Sequence, residues 1–171
     1  MLLMVVLLAT SPTTSRNQMT KSYLTPIDDN YATCERTKAV LRIYCGDASP
    51  SSITSLLSIQ PTSIVELGVP QVRRGGKHGP IGKINLWMLD SEGAIQSKDL
   101  RRHLDWILDI LAPVSAQILS LRQSGICMDL NCVWWSQSGE GGPALWPDQM
   151  RRIAALDLEL SIGFSYYGDD D

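Results

Sequence analysis

The sequence predicts an α+β domain, a mixed or antiparallel sheet with helices packed on one face in a ferredoxin-like style. Three observations carry this expectation. Runs with period-two apolar alternation recur along the chain, as at Ile126, Met128, Leu130, Cys132 and Trp134. Between them lie runs with helical spacing, clearest at Leu100, Leu104, Ile107, Leu108 and Leu111. The order reads strand, helix, short strand, strand, two helices, strand, helix, strand, which implies such a sheet. With 171 residues, 44% of them hydrophobic, the chain can build one core and is too short for two ordinary domains.

Taken in order, the first nine residues, MLLMVVLLA, form an apolar run too short to span a bilayer. No lysine or arginine precedes it and no clean A-x-A pattern follows. It reads either as part of an export signal or, with the rest of residues 1–18, as an extension ahead of a true start at Met19. The second reading places the protein in the cytoplasm and the first exports it. Residues 1–37 are expected to be a disordered or mis-annotated lead-in, 38–167 the single domain, and 168–171 an acidic tail.

A first strand is expected at about Lys38 to Cys45, with Ala39, Leu41, Ile43 and Cys45 inward. Ser49 followed by Pro50 marks a helix start, because a hydroxyl can cap the first turn and proline fits its first position. Ser63 to Leu67 follows as a short strand, and Gly68 to Gly82 as a glycine-rich, basic loop. Lys83 to Leu89 is a strand with Ile84, Leu86 and Met88 on one side and Trp87 on the other. A helix capped by Ser97, with Asp99 in its first turn, runs to Pro113. Shorter helices are expected from Val114 to about Ser124 and after Pro147, flanking the strand Ile126 to Trp135. Leu158 to Tyr166 closes the sheet. The stretch from Pro50 to Ile64 echoes that from Pro147 to Ile162, an internal duplication of strand, helix, strand.

Composition narrows the chemistry. The net charge is -3 and charged residues make up 19%, so the strongly basic balance of a nucleic-acid protein is absent and any anion site must be local. Cys34, Cys45, Cys127 and Cys132 contain no C-x-x-C, and the two histidines lie far from them in sequence, so no metal site is expected. No cofactor is expected either. Whether any cysteines pair depends on the compartment.

The segments VLRIYCGDASPSSITSLLSIQPT, NLWMLDS, DLRRHLDWIL with the following L-A-P, and LDLELSIGFSYY together resemble the bacterial family catalogued as domain of unknown function 4279. The likeness covers about Ala39 to Tyr167. It implies a small bacterial α+β domain with no assigned reaction and brings no site residues with it. Proteins of this type look like candidates for immunity or partner-binding roles. The likeness also favours a start at Met19.

Four candidate sites remain. In the basic loop, Arg73, Arg74, Lys77 and His78 stand among glycines that let backbone amides approach an anion, and arginines grip phosphate bidentately. The competing reading is a solvated connection. The Ser138 to Gly142 loop, SGEGG, lacks a G-K-[ST] ending and reads as a turn. His103 can serve as a base if it faces a cleft, or it edges the apolar face of its helix. Trp135, with Trp87 if their strands are neighbours, forms an aromatic patch beside the acidic Asp129 and Glu159, a face suited to a protein partner; the alternative is a covered face. The expected function is therefore non-enzymatic protein binding, immunity- or antitoxin-like. The alternative is a small-molecule or nucleotide-binding enzyme using the basic loop and His103.

Overall fold

The computed structural model describes residues 25–72, 76 and 78–166, so Arg73, Arg74, Lys77 and the two terminal segments lie outside the described residues. The sheet is built on β1 (Cys34–Tyr44), which begins several residues earlier than its alternation alone indicates. Ala39, Leu41 and Ile43 are fully buried on one side, while Arg36, Lys38 and Arg42 take the other. On one flank β1 pairs antiparallel with β5 (Leu86–Asp90), and β5 pairs antiparallel with the short β2 (Ser63–Val65). On the other flank it pairs antiparallel with β6 (Cys127–Ser136), whose far neighbour β7 (Glu159–Tyr166) runs parallel to it. The order is β2-β5-β1-β6-β7, a mixed sheet in an α+β domain.

The helices are α1 (Pro50–Leu57), α2 (Leu100–Leu111), α3 (Ser115–Gln123) and α4 (Pro147–Ala155). Their apolar stripes enter one cluster with the inner residues of the sheet: Ile53 and Leu57 from α1, Leu104, Ile107 and Leu111 from α2, Ile118 from α3 and Ile153 from α4. The helical stretch 100–123 is long and apolar enough to cross a membrane by composition. Its α2 stripe is occupied by this core.

The sheet departs from a ferredoxin-like pattern. There each strand-helix-strand unit is split by an intervening strand. Here β6-α4-β7 joins two adjacent parallel strands, whereas β1-α1-β2 joins parallel strands with β5 between them. The two echoing stretches therefore share connectivity but differ in strand pairing.

Two local expectations are corrected, and the inward side of one strand is decided. The glycine-rich stretch 68–82 contains a hairpin, β3 (Pro70–Val72) with β4 (His78–Ile81). Gly82 permits its close return, since a Cβ there would sit 2.1 Å from the Glu66 carbonyl oxygen. In β5 the inward residues are Trp87 and Leu89, with Leu86 and Met88 on the other side. Both parities are apolar, so alternation alone cannot choose. Trp87 fills the larger interior volume, and its indole N–H donates to Thr54 Oγ1 on α1 at 3.0 Å. Finally, the cap of α2 is Asp99, whose carboxylate accepts from the Arg101 amide. Ser97 instead accepts from the Asp99 amide and donates to Asp29.

The domain also begins before residue 38. Cys34 opens β1, and residues 25–31 are fixed to the first turn of α2 by side chains described below.

Candidate functional site: the open face of the sheet

Strand parity decides which groups meet on the face away from the helices. From β1 these are Arg36, Lys38, Val40 and Arg42, and from β6 Asp129, Asn131, Val133 and Trp135. β7 adds Glu159, Ser161 and Ser165 in register with Asp129, Asn131 and Trp135. Among the described residues the helices all contribute to the core on the opposite side, so this face carries no second layer.

Its groups are ordered by one another. Arg42 grips Asp129 bidentately, Nε to Oδ1 at 2.8 Å and Nη2 to Oδ2 at 2.5 Å. Lys38 reaches Asp90 at 2.7 Å and Glu92 at 2.8 Å, and burial of its ammonium is outweighed by these partners, which leave its pKa raised. The Arg36 guanidinium lies 4.1 Å from the centre of the half-buried Trp135 ring. Asn131 donates to Ser161 at 2.9 Å. Trp135, Asp129 and Glu159 thus share one surface.

Trp87 does not join them. It is fully buried, and β1 separates its strand from β6. The fully buried Trp134 likewise faces inward, edge-on to Tyr31 with ring centres 5.2 Å apart. Of the basic loop, His78 opens β4 with its backbone opposite Val72; Arg73, Arg74, Lys77 and the His78 side chain lie outside the described residues. The Ser138–Gly142 loop is a turn, with Gly139 and Gly141 at positive φ and the Ser136 hydroxyl donating to the Glu140 carbonyl at 2.8 Å.

His103 is buried with both ring nitrogens engaged. Nδ1 lies 2.8 Å from Ser91 Oγ and Nε2 lies 2.9 Å from the Ser97 carbonyl oxygen. Burial lowers its pKa, with the Ser97 bond and the charges of Asp90 and Asp99 acting the other way. A neutral ring satisfies a carbonyl only by donating from Nε2, which leaves Nδ1 to accept the Ser91 hydroxyl proton. Both nitrogens are thus taken up by bonds within the protein.

The sequence reading missed a polar node at the first turn of α2. Arg101 is fully buried and bidentate to Asp99, with Nε to Oδ1 at 2.8 Å. The same guanidinium donates to the carbonyls of Thr25 and Pro26, both at 2.6 Å, and stacks 4.7 Å from the Trp146 ring centre. The D-x-R spacing at a helix start was the available signal. Next to this node a cleft of about 540 Å³ runs between α2 and α4, lined among others by Ile95, Asp105, Trp106 and Trp146. Burial raises the Asp105 pKa, partly offset by a 3.1 Å bond from Gln149. The cleft's arginines are engaged: Arg152 reaches both Asp105 and Asp109 within it, and Arg102 reaches Asp29 outside it.

The four cysteines are free thiols; Cys34, Cys45 and Cys132 are buried and Cys127 is exposed. Burial pushes the Cys34 thiol up to about 11 and the Cys132 thiol up to about 12, the reverse of what a nucleophile needs. Among the described residues no cluster of His, Cys, Asp and Glu has metal-binding geometry.

These features define a class: an α+β domain with one sheet face sealed by helices and the other bare and polar. The chain belongs to the family described as Domain of unknown function (DUF4279), whose model matches residues 35–167. No curated protein matches it. No solved structure does either.

Proposed function

We propose that this protein is a non-enzymatic binding domain that docks a protein partner on the open face of its sheet, around Trp135. The observation that carries the reading is the half-buried Trp135 ring held under Arg36 on a face that, among the described residues, has no second layer. Tryptophan and arginine are the residue types that most often dominate binding energy at protein interfaces, and a ring already held in place loses little freedom on docking. Support also comes from His103 and the buried thiols, whose reactive atoms are turned to structural use.

An immunity- or antitoxin-like role is the narrower form of the same proposal, and it requires a toxin-type partner encoded beside this gene. The test is affinity purification of the tagged full chain from its native cells, beside the variants Trp135→Ala and Arg36→Ala. Wild type should retain a defined partner that Trp135→Ala loses by tenfold or more, as expected for a central interface tryptophan worth ~2 kcal/mol. An unchanged set of bound proteins would contradict the proposal.

A further inference from the structure

The two edges of the sheet are finished differently. The β2 edge is three residues long and is followed at once by the β3–β4 hairpin. The β7 edge is eight residues long, ELSIGFSY, and among the described residues its outer side pairs with no other strand. Exposed edges are normally blunted by lysine, proline, a bulge or a covering element. β7 carries none of these residues, keeps an unbroken register with β6, and has a single charge, Glu159 at its start.

Its helix-side residues divide into two halves. Leu158, just ahead of the strand, enters the core and Leu160 packs against it. Ile162, Phe164 and Tyr166, on the same side, are 40%, 49% and 60% exposed. Beyond the Gly139 backbone near the Tyr166 ring, this end is left uncovered among the described residues.

We propose that a second copy of this chain occupies the β7 edge, the two strands pairing antiparallel about a twofold axis at Ile162. Directly opposed residues of an antiparallel pair lie on the same face, so a self-pair must centre on a residue and not between two. Centred on Ile162, the helix side places Ile162 against its twin, Leu160 against Phe164 and Leu158 against Tyr166. Each bare residue beyond the axis then meets a covered one. The twofold also carries the partner's α4 alongside the bare end of the first copy, closing both halves at once.

On the other side, Ser161 meets Gly163 and Glu159 meets Ser165, so no like charges oppose. A symmetric dimer requires such a self-complementary patch. A standard interface buries ~800 Å² per partner, so a stable dimer needs helix contacts beside the paired strands. The axis leaves the Trp135 surface free, so this inference stands apart from the function proposed above.

The test uses two charge variants of the full chain, Ile162→Lys and Ile162→Glu, studied alone and mixed by sedimentation velocity. Wild type should sediment as a dimer. Each variant alone should place like charges face to face and weaken self-association about tenfold or more. The equimolar mixture should recover a dimer. Circular dichroism and the melting temperature of each variant report whether it is folded, and the mixture is informative because its two components differ only in the sign of the charge at residue 162. A wild-type chain that is monomeric at every concentration, or a mixture that remains monomeric while both variants are folded, would overturn the proposal.

Discussion

Arg101 and Asp99 show how one buried pair can fix the start of a domain. The guanidinium fixes the N-terminal segment through Thr25 and Pro26, the carboxylate caps α2, and the Asp28 amide donates to the same carboxylate at 2.9 Å. Removing one partner leaves the other charge buried and alone, so Arg101→Ala should cost roughly 3–5 kcal/mol in urea unfolding. Burial alone would raise the Asp99 pKa; the Arg101 bonds and the amides of Asp28 and Arg101 more than reverse this and hold it below the usual carboxylate value. Its stabilising contribution is therefore present above the unfolded pKa of about 4 and is lost as pH falls through the lower folded value. Stability curves of wild type and Asp99→Asn should converge in that acid window. His103 acts at higher pH. Its depressed pKa means that the unfolded chain takes up a proton that the folded ring resists, so stability present above about pH 6.5 declines below it. Nitrogen chemical shifts should show a neutral ring protonated at Nε2 at pH 7; a ring protonated at Nδ1 would contradict the bonding to Ser91 and Ser97.

At the scale of elements, the hairpin and the strand after it carry the clearest prediction. Gly82 passes so close to the Glu66 carbonyl that a methyl group must displace backbone. Gly82→Ala should cost about 1–3 kcal/mol, with the earliest amide exchange in β3 and β4. Asn85 ties the same region together, accepting from the Leu67 amide at 2.9 Å and donating to the Gly46 carbonyl at 3.2 Å. Much of this level was legible in the sequence. The inward faces of β1 and β6 and the stripe of α2 follow from periodicity, and the Ser49–Pro50 start of α1 follows from capping chemistry. Where periodicity was weak, the reading failed for identifiable reasons. β5 is apolar on both sides, so the place of Trp87 depended on a hydrogen bond from its indole N–H to Thr54 on another element. The hairpin hid among glycines that also read as loop, and two side chains, Ser97 and Asp99, competed for one cap.

At the scale of the whole molecule, one sheet separates a sealed core from an open polar face. Strand alternation sends the adjacent Trp134 and Trp135 to opposite sides, and the sequence placed Asp129, Trp135 and Glu159 on a common surface. The clamps on that surface were not legible, because Arg36, Arg42 and Lys38 reach their partners only once β1 lies between β5 and β6. The same long-range pairing placed Trp87 out of reach of the patch. The most direct test of the division between the two faces compares Trp134→Ala with Trp135→Ala, measuring unfolding free energy and partner retention on the same preparations. Trp134→Ala should cost about 3–5 kcal/mol, as for a fully buried aromatic side chain. Trp135→Ala should cost less than about 1 kcal/mol and abolish partner retention. Equal destabilisation by the two variants, or full partner retention by Trp135→Ala, would contradict this account.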